Sequence, residues 1–263
     1  MISANTRRAT VAVVAALACL APAASADDVR VATSGAFSTA LAQLVPQFEK
    51  TTLHSVTTVS GASMGDTPDS IPNRLQRREA IDVVILADTA LEDLIRKGQV
   101  AAGSRVDLVR SRIGMVVRKG APKPDISSVA ALVVTLRTAK SIAYSSSASG
   151  VYLSTELFPR LGLVDEIRGK VKRIDVGRVA AVVARGDAEI GFQQISELLP
   201  EPGVDLVGPL PDGAQKVTIF SAGVVAGAHA TDAAKALIAY LTSPAAAPVI
   251  RRTGLDPIRS ESR

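Results

Sequence analysis

Tryptophan is absent from the 263 residues, cysteine occurs once, histidine twice, and aromatic side chains make up 3%. Each shortage excludes something. Zinc and haem centres built from Cys and His lack their ligands, and a disulfide scaffold lacks its cysteines. No basic run with interleaved aromatics exists for stacking on bases, so nucleic acid is not an expected partner. No Gly-Lys-Ser/Thr occurs, which removes a Walker-type phosphate loop. His54 and His229 both fall beside turns and read as surface residues, and no Ser-His-Asp set or metal-ligand set can be assembled around them. Neither metal nor cofactor is expected. Proton-transfer chemistry would then rest on a carboxylate, a tyrosine or a lysine.

What is present is apolar: hydrophobic residues make up 47% of the chain, ample for a large core. The one long uncharged run lies at the start. Arg7 and Arg8 precede an apolar stretch at 11–20, and Ala24-Ser25-Ala26 follows as a small-residue cleavage site. Residues 1–26 therefore read as a secretory signal peptide, with the exported protein beginning at Asp27. Ala16-Leu17-Ala18-Cys19 is a competing lipoprotein-like signal, with Ala where Leu is usual three positions before the cysteine. Removal of residues 1–26 leaves 28 basic against 25 acidic side chains, a net +3. That mild balance suits a small anionic ligand and is equally compatible with ordinary surface charge.

Beyond residue 27 strand and helix patterns alternate. Val29-Arg30-Val31-Ala32-Thr33 is strand-like; Phe37, Leu41, Leu44 and Phe48 then recur at helical spacing. Val56-Thr57-Thr58-Val59 and the wholly apolar Val83-Val84-Ile85-Leu86 are further strands, with helices near 71–78 and 91–97. Similar units continue: a strand at 113–118, helix at 129–137, strand at 141–144, helix at 151–161, and two strand–helix pairs between 171 and 199. A strand near 217–225, a helix at 232–241 and a last helix opening at Ser243-Pro244 close the chain. The alternation predicts an α/β protein with mostly parallel sheets, in two units with a break near 108–114. Whether the closing segment rejoins the first unit is not legible from periodicity.

One arrangement recurs: a strand ends, Ser and Gly follow, a helix begins. It occurs at Thr33-Ser34-Gly35, at Ser60-Gly61-Ala62-Ser63 and across 145–150, which holds Ser147, Ser149 and Gly150. Helix N-termini at the carboxyl ends of strands offer free N–H groups, so three such loops converging would hold an anion. The other reading of each serine is a plain helix cap. Arg74, Arg112 and Arg178 lie near loop or helix starts and could clamp a carboxylate, or be solvated surface residues. Asn73, Gln193 and Gln194 could donate to a ligand oxygen.

Val29 to Phe37, Ser60-Gly61-Ala62-Ser63, Asp82-Val83-Val84-Ile85 and the closing Leu241-Thr242-Ser243-Pro244…Thr253-Gly254-Leu255 resemble the molybdate-binding type of periplasmic solute-binding protein. The resemblance implies two Rossmann-like lobes with mixed sheets, joined by two crossover strands, with a ligand cleft between them. Lobe 1 would be 27–110 plus 215–263, and lobe 2 would be 111–214. The ligand would be held by Ser34, Ser63 and the loop before Val151. Where molybdate binders carry a cleft tyrosine, this chain has Gln194, and its 64–72 loop is longer; both departures point to a larger organic anion.

Narrower runs are similar to the aconitate isomerase subgroup built on this scaffold. They are Ser63-Met64-Gly65-x-Thr67-Pro68-x-x-Ile71-Pro72-Asn73-Arg74, Gly120-Ala121-Pro122-Lys123-Pro124, Ala148-Ser149-Gly150-Val151-Tyr152 and Gly191-Phe192-Gln193-Gln194. This subgroup implies a tricarboxylate ligand. Two functions share that expectation. One is a periplasmic binding protein, monomeric, that captures the anion for an ABC-type inner-membrane permease. The other is a cofactor-free isomerase that moves an allylic proton between trans- and cis-aconitate, with Glu197, Asp88 or Tyr152 as base.

Overall fold

A computed structural model describes residues 26–258. The signal-peptide and Cys19 readings lie outside the described residues, apart from Ala26.

The first sheet takes β1 (Asp28–Ser34), β2 (Ser55–Gly61), β3 (Val83–Ala87) and β4 (Val106–Ser111), with helices α1 (Gly35–Thr51), α2 (Ile71–Gln76) and α3 (Asp88–Arg96) between them. The second sheet takes β5 (Ile113–Arg118), β6 (Ile142–Ser145), β7 (Val171–Ile174), β8 (Ile190–Gln194) and β9 (Val204–Pro209). Its helices are α4 (Val129–Thr138), α5 (Ala148–Tyr152), α6 (Phe158–Arg160), α7 (Val164–Ile167), α8 (Val179–Arg185) and α9 (Ile195–Leu198). The chain then returns to the first sheet through β10 (Thr218–Val224), α10 (Thr231–Leu241), α11 (Ala247–Arg252) and β11 (Asp256–Pro257). Strand order is β11-β4-β10-β3-β1-β2 in the first sheet and β7-β6-β8-β5-β9 in the second.

Both sheets are mixed. β1 runs parallel to β2 and β3, but β10 enters antiparallel between β3 and β4. In the second sheet β6 is parallel to β7 and β8, and β5 is antiparallel to β8 and β9. The periodicity predicted mostly parallel pairing; the strands that cross between lobes, β4 to β5 and β9 to β10, supply the antiparallel members.

The sequence explains how each sheet is covered. β3, Val-Val-Ile-Leu-Ala, is buried along its whole length because helices cover both its faces. Val83, Ile85 and Ala87 join a core with α1, α10 and α11, while Val84 and Leu86 pack with α2 and α3 on the other side. In α1, Phe37, Leu41, Leu44 and Phe48 form one buried stripe at helical spacing. The second sheet is likewise double-faced: Met115 and Ile142 pack with α4, whereas Val116 and Ala143 pack with α8.

Two local expectations change. The helix expected over 151–161 is α5, a π-helical turn at Leu153–Leu157, then α6. The last helix opens at Ala247 and not at Ser243-Pro244: Ala246 N–H bonds the Ser243 carbonyl in a turn, and the Ser243 hydroxyl is buried without a partner. Among the described residues no helix is long and apolar enough to cross a membrane.

Candidate functional site

Between the two sheets lies a cleft of about 250 Å³. Its walls are strand ends and the turns that follow them: Ser34 and Gly35 after β1, Ser60 to Ala62 at the end of β2, Ser145 to Ser149 after β6, Asp175 to Arg178 after β7, and Gln193 with Gln194 at the end of β8. That is where open α/β sheets place their ligands.

Ser34 is the residue before the seventeen-residue α1, yet its side chain makes no capping bond. It is 2% exposed and its Oγ has no hydrogen-bond partner. A buried hydroxyl left unpaired costs roughly 1–3 kcal/mol, an amount a ligand oxygen can return. Beside it the first N–H groups of α1 are free by helix geometry. Across the cleft Ser145 Oγ and Ser149 Oγ pair at 3.1 Å. Gly150 must be glycine, since a Cβ there would overlap the Ser145 carbonyl oxygen. Ser63 N–H donates to Ser147 Oγ at 3.1 Å, and Arg173 pairs with Asp66 at 3.0 Å; both contacts join the lobes.

Arg178, the residue before α8, lines the cleft and is exposed to its water. Among the described residues it forms no ion pair within 4 Å, which leaves its guanidinium open to an anion.

Glu197, in the short α9 after β8, is the least ordinary group here. It keeps one partly exposed edge toward the cleft, while protein from both lobes surrounds the rest. From the first lobe Gly35 comes so close that a Cβ there would overlap Glu197 Oε1. From the second, Gln193 Nε2 donates to Oε1 at 2.8 Å. Loss of hydration on burial pushes the carboxyl up to about 7, against the opposing pull of the Arg178 charge and the Gln193 bond.

Gln194, 1% exposed, accepts from Ser111 Oγ at 2.7 Å and donates from Nε2 to Thr218 Oγ1 at 3.3 Å. Ser111 ends β4 and Thr218 begins β10, so Gln194 ties the cleft floor to the crossover strands.

Other candidate residues lie apart from the cleft wall. Arg74 Nη1 pairs with Glu79 at 2.7 Å and its Nε donates to the Asp69 carbonyl, bracing the wall from behind. Asn73 Nδ2 donates to the Thr67 carbonyl. Met64 packs into the first lobe's cores. Ser63 Oγ accepts from Ala87 N–H at 3.1 Å; although Gly61-Ala62-Ser63-Met64-Gly65 has the letters of a nucleophile elbow, this hydroxyl is committed to structure. The Tyr152 hydroxyl donates to the Ala214 carbonyl at 3.0 Å inside the second lobe, and Val151 sits beside it on α5. Asp88 opens α3 and its Oδ1 accepts from Thr89 N–H. Arg112 is exposed at the lobe crossing. Of the three proposed bases, Glu197 alone lines the cleft. Asp69 and Asp175 line it too, and sequence reasoning did not single them out; Asp175 follows β7 at the same kind of strand end that marked the serines.

A family model described as bacterial extracellular solute-binding protein matches residues 29–256. The chain belongs to that family. It is 48% identical over 231 residues to an aconitate isomerase from a Pseudomonas species, covering 88% of each chain. It is 28% identical over 250 residues to a molybdate-binding protein of Azotobacter vinelandii, covering 89% of this chain and 92% of that one. The solved periplasmic molybdate-binding protein of Azotobacter vinelandii shares the solute-binding fold, with a TM-score of 0.71 at 21% identity over 89% of this chain and all of the other.

Proposed function

We propose that this solute-binding scaffold is an aconitate isomerase, a cofactor-free catalyst of the allylic proton shift between trans- and cis-aconitate. The observation that carries the reading is Glu197: a carboxyl in an anion-lined cleft whose pKa stands at about 7. A protein that only captures an anion gains nothing from a carboxylate on its cleft floor. A proton-transfer catalyst gains a base matched to neutral pH. The 48% identity to an enzyme of that name supports the same substrate.

In this reading the Ser34 hydroxyl, the free N–H groups of α1 and the Arg178 guanidinium take the carboxylates of the substrate. Glu197 removes a proton from the methylene carbon. The C–H electron pair spreads over the allyl unit and into the adjoining carboxylate, where these donors stabilise it. The carboxylic acid of Glu197 then returns the proton to the former vinyl carbon. One C–H bond breaks, one forms, and the double bond moves by one position. No electron leaves the substrate, so the reaction needs no redox partner.

A second reading is a tricarboxylate-binding protein that delivers its ligand to a membrane permease; family membership favours it. Both readings place the protein outside the inner membrane, released by cleavage after Ala26. Proton NMR of trans-aconitate in D2O with catalytic protein decides between them. Appearance of cis-aconitate supports the isomerase, and deuterium in its methylene measures how often the Glu197 carboxylic acid exchanges with solvent before it returns its proton. No turnover, with ligand line broadening at higher protein concentration, refutes the isomerase and leaves the carrier.

A further inference from the structure

Gln193 ends a buried strand and is 4% exposed. Its carboxamide is not free to turn. Val179 N–H, at the first position of α8, donates to Gln193 Oε1 at 3.1 Å. An amide whose oxygen is held by a donor must present its NH2 on the other side, and there Nε2 meets Glu197 Oε1 at 2.8 Å. Glu197 Oε1 is further hemmed by Gly35 from the opposite lobe. Among the described residues Glu197 Oε2 makes no hydrogen bond, and the residue lines the cleft.

We propose that Gln193 is a positioning residue of the proton-transfer site: its carboxamide, turned by the Val179 N–H, holds one oxygen of Glu197 and leaves the other to the substrate. The inference rests on the isomerase reading of the cleft. It also changes the role expected for Gln193, which the sequence offered as a donor to the ligand. With its oxygen taken by α8 and its nitrogen by Glu197, the side chain serves the base.

Two consequences follow for the carboxyl. Geometrically, a carboxylate pinned at one oxygen presents a single oxygen in a fixed direction, as an allylic shift between two carbons of one substrate requires. Electrostatically, a donor locked in place favours the ionised form and opposes the effect of burial. The charged groups around Glu197 are few. Arg178, at the start of α8, favours ionisation; Gly35 faces it from α1; Asp69 and Asp175 line the cleft beyond. Removing the Gln193 bond therefore leaves Arg178 as the main influence opposing burial.

The test uses the full chain and two variants. Gln193→Leu deletes the amide. Val179→Pro leaves the amide in place and deletes the N–H that orients it, at the cost of exchanging one buried apolar side chain for another: the first helical position accepts proline, and Arg178 at φ −101°, ψ 136° already has the backbone that precedes one. In both, the limb of the pH–rate profile for trans-aconitate governed by Glu197 is expected to move up by about one pH unit. Rates at pH 6 then fall about ten-fold and recover at high pH. General damage to the fold lowers the rate equally at every pH. An unshifted limb in both variants overturns the proposal.

Carbon NMR titration of protein labelled at the glutamate δ-carbon separates this from failure of the isomerase reading. The Glu197 signal is the one missing from Glu197→Gln. If the wild type does not isomerise aconitate, the isomerase reading fails, and the titration midpoint alone decides the role of Gln193. A midpoint raised in both variants supports it, and an unchanged midpoint refutes it.

Discussion

Glu197→Gln is expected to make the protein more stable at alkaline pH while abolishing turnover. The carboxyl has an ordinary value of 4.5 and stands at about 7 in the folded chain. The folded state therefore holds a proton that the unfolded chain has already lost, and stability falls as pH rises from about 4.5 to about 7. A gap of about 2.5 units at ~1.4 kcal/mol each amounts to roughly 3–4 kcal/mol, which water at the open edge of the cleft trims to about 2–3. Glutamine matches glutamate in shape and keeps an oxygen to accept from Gln193, yet never ionises. At pH 8.5 the variant should exceed the wild type by about 2–3 kcal/mol, or roughly 4–12 °C in Tm for a chain of this size. At pH 4.5 the two should nearly coincide. Paired urea denaturation at both pH values measures the difference. A stability gain that is the same at both would refute the reasoning, since the effect would then owe nothing to ionisation.

Gly35→Ala places a Cβ onto Glu197 Oε1 and 3.0 Å from its Cδ; the side chain must swing away, and turnover should fall by about 100-fold with circular dichroism unchanged. Arg178→Ala should weaken calorimetric binding of trans-aconitate by roughly ten- to a hundred-fold, the loss of a charge-assisted contact of about 1.5–3 kcal/mol; unchanged affinity would remove Arg178 from the site. Gly150→Ala drives a Cβ into the Ser145 carbonyl, which cannot move without breaking the end of β6, so a stability loss of about 3 kcal/mol or more should appear in thermal melts.

The α/β class and the buried stripe of α1 were legible because apolar spacing reports the buried face of an element directly. β4 was not read as a strand: Val-Asp-Leu-Val-Arg-Ser alternates poorly, and its place beside β10 is decided by a partner more than a hundred residues away. The last helix was misplaced because Ser243-Pro244 has the letters of a helix start, while the backbone there closes a turn first. In the cleft, the strand-end serines were visible as a pattern. Glu197 was visible only by elimination, since its perturbation comes from burial, and part of what covers it is Gly35, a residue 162 positions earlier that lacks a side chain. The commitment of Arg74 to Glu79 was equally hidden, because an arginine bracing a wall and one gripping a ligand look alike in a sequence.

The contact between Glu197 and Gly35 spans the two lobes. If the halves swing apart, water reaches the carboxyl from the side that Gly35 now covers, and the share of its upward shift that this cover supplies is lost. Its basicity thus owes part of its strength to a neighbour from the other half of the molecule. An open jaw would meet its substrate with a weaker base, and the same movement that encloses the anion would strengthen the group that acts on it.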